Sequence, residues 1–233
     1  MDIHPNIRII GTSLFLEESS VLIINDLHIG YEGELRRKGI MVPRFQLKQI
    51  LEKMDHILEV AKPKKVLING DLKHQFGGIS REEWKEVLEF LDYLLERVEE
   101  VIIVQGNHDP IIKPIADKRN VKVVQELELK EALIVHGDQL VDTDKEVIII
   151  GHEHPAISIK EGSKIEKFKC FLKGTWKKHV LIVVPSFNPL VEGTDVLQGR
   201  MLSPFLTKID DFNVYIVNKG EAFGFGKVKD FTD

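Results

Sequence analysis

The stretch VIIVQGNHD, residues 101–109, passes from an apolar run through a glycine into three residues that often bind metals or protons. The Val and Ile content of Val101–Val104 predicts a buried strand. Gly106 allows a sharp turn directly after it. Asn107 is an unusual residue at a strand exit unless its side-chain carbonyl has a function. The stretch therefore predicts a strand that ends in a functional site.

The same arrangement, an apolar run followed at once by Asp or His, occurs four more times. The runs and the residues after them are Val21–Ile24 with Asp26 and His28, Val66–Ile68 with Asp71, Leu133–Val135 with His136, and Val147–Ile150 with His152 and His154. Ligand sites in open α/β sheets lie at the carboxyl ends of strands, so these side chains can converge. Imidazole and carboxylate groups without thiolate suit Mn, Fe or Zn ions. Their number exceeds the needs of a single ion and favours a pair.

Each pattern alone has a purely structural explanation. Asp-x-His at a strand end is compatible with a helix cap and a polar loop residue, and Gly-Asp is usually a turn. A single histidine at a strand end can be a satisfied core residue. The joint occurrence of all five patterns favours the metal site.

The composition predicts a single domain over residues 1–233. Of the 233 residues, 43% are hydrophobic and 30% charged, which provides a packed core with a solvated surface. A net charge of −5 disfavours a generally basic nucleic-acid binder. Cys170 is the single cysteine, so an intrachain disulfide and a Cys-rich zinc site are excluded. With no apolar run of membrane-spanning length and no signal-peptide pattern, we expect a cytoplasmic protein.

The remaining periodicity predicts an α/β fold. Two one-sided apolar stripes predict helices over 43–61 and 80–98, and Ser80 with Glu83 forms a capping-box pattern at the start of the second. Strands alternate with these helices in the first half, which indicates a largely parallel sheet. Further strands are predicted at Ile7–Ile10, Val180–Val184 and Val214–Val217. The second half has few helical stripes, so we expect two sheets flanked by helices.

Taken in order, the motifs resemble those of the calcineurin-like metallophosphoesterases: Asp-x-His, Gly-Asp, Gly-Asn-His-Asp, a lone His and Gly-His-x-His. They span residues 26–154, and the segments GDLKH at 70–74 and PSFNP at 185–189 resemble those of an archaeal-type branch. That branch is similar to DNA ligase-associated metallophosphoesterases and, more distantly, to SbcD-type nucleases. The resemblance implies a four-layer α/β/β/α sandwich that hydrolyses phosphodiester bonds, in nucleic acids or nucleotides, through a hydroxide activated by two metal ions.

The resemblance also implies a role for each motif residue. One ion would be held by Asp26, His28 and His154, and the other by Asn107, His136 and His152. Asp71 would bridge the two ions and is counted with His108 as catalytic, because His108 would act as the acid for the leaving group or as a phosphate clamp. We expect Mn²⁺, with Fe, Zn or Ni as alternatives.

One position departs from the family pattern. Many members have a second Asp three residues after the bridging one, where it orients the histidine acid, and this chain has His74 there. Asp109 or Asp138 could take over that task, or His74 could itself contact phosphate. Candidate substrate contacts are His74, Arg36, Lys73, Phe76 and Asp109.

Several functions stay open at this stage. A phosphomonoesterase or a nucleotide pyrophosphohydrolase would use the same metals, and a non-catalytic protein-binding scaffold would keep only the fold. A di-metal peptidase is a weaker rival, because its ligands would be mostly carboxylates. The expected partner is a phosphoester substrate, with nucleotides or nucleic acid among the candidates and no membrane; a homodimer is left open.

Overall fold

The computed structural model describes residues 1–231. Within them the apolar runs form the centres of two stacked sheets. The first sheet has seven strands in chain order: β1 (Asp2–His4), β2 (Ile7–Ile10), β3 (Ser13–Leu16), β4 (Val21–Asn25), β5 (Lys65–Asn69), β6 (Glu100–Val104) and β7 (Lys122–Val124). Strands β1 to β4 pair antiparallel, whereas β4 to β7 are parallel. The predicted parallel arrangement of the first half is therefore confirmed for its central strands.

Helices cover the outer face of this sheet. They are α1 (Tyr31–Arg37), α2 (Gln46–Ala61), α3 (Arg81–Leu95) and the short α4 (Lys113–Ala116). The stripes of α2 and α3 bury Met54, Ile57, Phe90 and Leu91 against β4, β5 and β6. Burial of such side chains contributes about 1.5–3 kcal/mol each.

The helix starts depend on side-chain oxygen atoms that accept hydrogen bonds from free backbone N–H groups. In α3 the predicted capping box is present, with Ser80 Oγ accepting from Glu83 N at 3.1 Å. Helix α2 begins at Gln46 and not at residue 43, because Glu32 accepts from the N–H groups of Phe45 and Gln46 at 2.9 and 2.7 Å. Helix α1, which supplies Glu32, was not predicted.

The second sheet has nine strands in the described part of the chain. They are β8 (Glu126–Glu128), β9 (Leu133–Val135), β10 (Val147–Ile150), β11 (Pro155–Glu161), β12 (Lys164–Trp176), β13 (His179–Val183), β14 (Thr194–Asp195), β15 (Asn213–Asn218) and β16 (Glu221–Lys227). The order across the sheet is β14, β11, β12, β13, β10, β9, β8, and β15 joins β12 to β16. Strands β9, β10 and β13 are parallel to one another.

The two sheets pack face to face through one apolar layer. Ile23, Leu67 and Val104 of the first sheet meet Ile134, Ile149 and Ile182 of the second. The two-sheet α/β architecture with helices is thus as predicted. The outer face of the second sheet differs from the helical layer that was expected. It is covered by Phe205, Phe212 and short 3₁₀ turns at Val196–Gln198 and Val228–Phe231, because Gly199 and Pro204 interrupt any longer helix.

The carboxyl ends of the parallel strands meet at one end of the molecule. The side chain of Asn69, the last residue of β5, donates to the carbonyl of Val135, the last residue of β9, at 2.9 Å. On the second sheet, Gly151 N donates to His136 O at 2.8 Å. These bonds bring the loops that follow β4, β5, β6, β9 and β10 together. Within residues 1–231, no helix has both the length and the apolar content needed to cross a bilayer.

Candidate metal centre

The predicted ligands lie in loops with an unusual backbone. Five of them have positive φ angles: Asp26 (51°), His28 (44°), Asp71 (46°), His152 (62°) and His154 (50°). Residues other than glycine rarely adopt positive φ angles, because this conformation costs about 1–3 kcal/mol of strain. Such strain occurs most often at functional sites. The pair His152 and His154 therefore lies in a turn after β10 rather than in a strand. The His152 and His154 rings therefore contact different neighbouring residues.

Two glycines allow the loops to approach closely. A Cβ on Gly70 would lie 1.9 Å from His136 Nδ1, and one on Gly106 would lie 2.2 Å from Asp71 Oδ1. Both distances are far below van der Waals contact. Only glycine at these positions lets the loop after β5 meet the loops after β6 and β9.

The first group of donors consists of Asp26, His28 and His154. Asp26 Oδ1 lies 3.4 Å from His154 Nε2, and the Nε2 atoms of His28 and His154 lie 3.4 Å apart. One donor atom from each of the three residues falls within 4.8 Å of the others. The family resemblance implies that this set holds one ion.

The second group consists of Asp71, His136 and His152, whose donor atoms meet the same 4.8 Å limit. His136 Nε2 is the central atom of this group. It lies 3.5 Å from Asp71 Oδ2, 3.2 Å from His152 Nδ1 and 3.0 Å from Asn107 Oδ1. Asn107 Oδ1 therefore lies beside the second group, to which the family resemblance assigns it.

Asp71 lies between the two groups. Its Oδ2 atom is 3.5 Å from His136 Nε2 in the second group and 3.8 Å from His28 Nε2 in the first. Its other oxygen, Oδ1, accepts from the backbone N–H of His108 at 2.9 Å. The side chain is nearly inaccessible to solvent. Its position is the one expected of a carboxylate shared by two cations.

Burial controls the electrostatics of these residues. It raises the pKa of Asp71 to about 9, with further contributions from the carboxylates of Asp26 and Asp109. Burial also lowers the pKa of His152 to about 4 and that of His28 well below its usual value. Burial opposes ionisation of Asp26, but the neighbouring histidines, His154 foremost, keep its pKa below the ordinary value. The histidines thus favour the neutral form that binds metals.

The donor set fits divalent transition-metal ions. The seven residues offer four imidazoles, two carboxylates and one amide oxygen, and thiolate is absent from the set. Such mixed nitrogen and oxygen donors suit Mn, Fe and Zn. A buried carboxylate with a raised pKa also lacks a compensating positive charge, which a bound cation supplies.

Beside the first group, His108 is held by the loop after β5. Its Nδ1 lies 2.6 Å from the carbonyl oxygen of His74. A carbonyl can only accept, so Nδ1 carries the proton and Nε2 is the second ring nitrogen. The main chain at position 74 thus orients His108, and neither Asp109 nor Asp138 does so.

His74 has a carboxylate partner that the sequence did not reveal. Its Nε2 lies 2.6 Å from Glu34 Oε2, and its ring packs edge-on against Tyr31. Donor atoms of His28, His74 and His108 also lie within 4.8 Å of one another, forming a third group at the side of the cluster. Glu34 and Tyr31 belong to α1, whose short length left no clear periodicity to predict.

Two residues expected to contact substrate lie behind the wall of the cleft. Lys73 is fully buried, and its ammonium donates to the carbonyls of Gln75 and His108. Asp109 is also buried and accepts from the backbone N–H groups of Leu72 and Lys73 at 3.0 and 3.2 Å. Both side chains hold the loops together, which corrects the expectation for these two positions.

Arg36 and Phe76 lie at the surface near the cluster. Phe76 is 68% exposed, and its ring stands edge-on to His108 with centroids 5.5 Å apart. The Arg36 guanidinium lies 3.2 Å from Glu82, which also pairs with Arg44 at 2.8 Å. Phe76 is therefore positioned to contact a ligand beside His108, whereas Arg36 is engaged by Glu82.

Glu83 connects the helix cap to the site. Besides its capping bond, its Oε1 accepts from the N–H groups of His74 and Gln75, each at 2.8 Å. The capping-box pattern identified Glu83 as a helix start. It gave no signal for this second role, which fixes the loop that orients His108.

This chain belongs to the calcineurin-like phosphoesterase family, because the family model matches residues 19–217. It is accordingly a hydrolase that acts on phosphoester bonds. Members of the family typically bind divalent metal ions, in agreement with the donor groups described above. No curated protein is similar enough in sequence to count as a match.

Comparison with solved structures identifies proteins that are similar to this chain. Nuclease MPE from Pseudomonas putida has a TM-score of 0.67 and 17% sequence identity, over 92% of each chain. YfcE, a phosphoesterase from E. coli, has a TM-score of 0.41 and 16% identity, over 89% of this chain and 98% of the other. At this identity the likeness to nuclease MPE shows a shared fold.

Proposed function

We propose that this protein is a phosphodiesterase that uses two divalent cations, Mn²⁺ foremost, on nucleotide or nucleic-acid substrates. The observation that carries the proposal is the position of Asp71 Oδ2, 3.5 Å from His136 Nε2 and 3.8 Å from His28 Nε2. A shared carboxylate between two groups of histidine donors is the arrangement that a dinuclear site requires.

In this proposal the two donor groups hold one cation each. Asp26, His28 and His154 hold the first; Asn107, His136 and His152 hold the second; Asp71 serves both. When bound, the cations supply Lewis acidity, which lowers the pKa of water and neutralises charge on the phosphate oxygens. The loops with positive φ fix the donors before substrate arrives, so little reorganisation is needed.

His108 supplies the proton for the leaving group. Its backbone N–H is bonded to Asp71, and its Nδ1 proton is donated to the His74 carbonyl, so the ring stands beside the cluster in a fixed orientation. As an imidazolium it also carries a proton at Nε2, which it can donate to the departing oxygen. Phe76 packs against this ring at the surface.

Nucleic acid or a nucleotide as the substrate is supported by two observations. The structurally similar Pseudomonas putida protein is described as a nuclease. The 185–189 segment, one of the two on which the resemblance to an archaeal-type branch with distant similarity to SbcD-type nucleases is based, lies at the cluster, since Ser186 Oγ donates to the Asp26 carbonyl at 2.8 Å. The single cysteine agrees with action in the cytoplasm.

The test is hydrolysis of bis-p-nitrophenyl phosphate by metal-depleted protein with and without added Mn²⁺. We expect activity that requires the metal and exceeds the rate on p-nitrophenyl phosphate, a monoester with the same leaving group. Glu99→Gln is the matched control for charge-removing variants, because Glu99 directly precedes β6, at the end of that strand opposite the cluster. Equal rates with and without Mn²⁺ would contradict the proposal, and a preference for the monoester would favour a phosphomonoesterase.

A further inference from the structure

A cavity adjoins the donor group around His136. Its volume is about 370 Å³, within the range of small-molecule sites. Asn107 and His136 form its inner wall, so the cavity opens directly onto the proposed second cation. A group attached to a phosphate at the cluster would therefore lie beside this cavity.

The outer walls of this cavity are rich in amides. Gln105, Gln125 and Gln139 all line it. Gln105 Nε2 donates to the Asp109 carbonyl at 3.0 Å, and Gln125 Nε2 donates to Gln105 Oε1 at 2.6 Å. This chain of bonds leaves Gln125 Oε1 as a hydrogen-bond acceptor without a partner among the described residues.

The charges of the cavity are negative. Glu126 and Asp138 line it, whereas no Lys or Arg does so among the residues described. The acceptors in the lining include these two carboxylates and the Gln125 carbonyl, and Gln139 Nε2 lies 3.5 Å from Asp138 Oδ2. Such a wall favours ligand groups that donate hydrogen bonds, and it repels a second phosphate.

Resting on the proposed function, we propose that this cavity is the subsite for the nucleoside of a substrate with a single phosphate. The hydroxyls of the sugar and the N–H groups of the base can donate hydrogen bonds to these acceptors. Pro110, Leu140 and Val141 add apolar surface for the base. A substrate that carries a further phosphate on the nucleoside is disfavoured by Glu126 and Asp138.

The experiment compares three Mn²⁺-dependent substrates with the same leaving group: methyl p-nitrophenyl phosphate, thymidine 5′-(p-nitrophenyl phosphate), and the latter with a 3′-phosphate. We expect the nucleoside to raise kcat/KM by about tenfold, as one or two hydrogen bonds would. The added 3′-phosphate should remove most of this advantage.

Two variants locate the effect. Gln125→Leu should reduce the preference for thymidine over methyl by several-fold while hydrolysis of the methyl ester is unchanged. Glu126→Gln should reduce the penalty of the 3′-phosphate, whereas the control Glu99→Gln should not. Equal kcat/KM for the methyl and thymidine esters, or a preference that both cavity variants leave intact, would overturn the assignment.

Failure of the proposed function gives a different result. If none of the three esters is cleaved, the phosphodiesterase proposal fails, and binding then tests the subsite separately. Calorimetry with Mn²⁺ should show thymidine 5′-phosphate binding about tenfold more tightly than inorganic phosphate. Equal affinities, or no loss of the difference in Gln125→Leu, would contradict the subsite.

Discussion

Two polar clusters lie at the same end of the molecule and make opposite demands on their surroundings. One is the metal-site cluster around Asp71. The other is a pair of half-buried lysines, Lys53 and Lys169, whose ammonium groups donate to backbone carbonyls of the 185–189 segment. The two clusters share that segment, because Ser186 bonds to Asp26 on one side and to Lys169 on the other.

Both lysine ammonium groups donate hydrogen bonds to acceptors within the protein. Lys169 donates to the carbonyl of Ser186 at 2.7 Å and to that of Asn188. Lys53 donates to the Phe187 carbonyl at 3.1 Å and to the Thr12 hydroxyl, and its ammonium lies 3.9 Å from the centre of the Phe187 ring. Burial lowers the pKa of Lys169 to about 7 and that of Lys53 well below its usual value.

The metal-site cluster has no comparable set of hydrogen bonds to backbone carbonyls. Its close contacts join imidazole nitrogens to one another and to carboxylate oxygens, such as the His28 and His154 nitrogens at 3.4 Å and Asp71 Oδ2 beside His136 Nε2 at 3.5 Å. Polar groups that bond to backbone carbonyls, as the two lysines do, serve structure. Buried imidazoles and carboxylates that converge on one another are arranged to hold a ligand.

The largest loss of activity is expected from Asp71→Asn, in the metal-site cluster. Loss of the shared charge should lower kcat/KM on bis-p-nitrophenyl phosphate by at least ~10³, because several kcal/mol of cation-dependent stabilisation disappear. Lys169→Met, at the other cluster, should lower it by less than ~10-fold, since this lysine contacts only the loop backbone. Equal losses in steady-state assays would erase the distinction between the two clusters.

His108→Ala should reduce the rate by ~10² to 10³, the usual contribution of a general acid. The loss should depend on the leaving group, because p-nitrophenolate departs without protonation more easily than an alkoxide. We therefore expect a smaller loss on bis-p-nitrophenyl phosphate than on a dinucleoside monophosphate. A loss that is identical for both substrates would assign His108 to binding alone.

Metal binding at the metal-site cluster should stabilise the folded protein, and this stabilisation should not depend on the lysine pair. At Mn²⁺ concentrations ~100 times Kd, the stabilisation is about 2.7 kcal/mol, which raises Tm by roughly 5–10 °C for a chain of this size. Lys169→Met should retain this increase in differential scanning fluorimetry, and Asp71→Asn should lose most of it. An equal increase in Asp71→Asn would show that the metal binds elsewhere.

The smallest effect concerns pH. The pKa of Lys169 falls from 10.5 to about 7 on folding, so the unfolded state binds this proton more strongly between those values. The free energy of unfolding should therefore rise with pH across this window, by up to ~1.4 kcal/mol per unit, relative to Lys169→Met. Urea unfolding at pH 7, 8 and 9 measures the difference, with the exposed Lys160→Met as control. A difference that is constant with pH would show that Lys169 keeps its ordinary pKa.

The sequence predicted the metal-site cluster because each ligand directly follows a strand. Strand position, apolar content and the adjacent glycine can all be read locally, and parallel strands then bring the loops together. Asp26, Asp71 and His136 lie where this reasoning expected them. The same logic misplaced Lys73 and Asp109, because adjacency in sequence does not show whether a side chain faces the cleft or the loop behind it.

The other cluster gave no sequence signal. Lys53 lies on a helix and Lys169 on a strand, and each resembles a surface lysine in its local sequence. Their burial depends on where the 185–189 segment passes, which is a tertiary property. Glu34 and Gln125 were missed for the same reason, since their partners His74 and Gln105 are distant along the chain.

Anomalous diffraction from crystals grown with Mn²⁺ tests the central claim most directly. We expect two manganese peaks, one among Asp26, His28 and His154 and the other among Asn107, His136 and His152, with Asp71 contacting both. A single peak among His28, His74 and His108, or no peak at the cluster, would contradict the account.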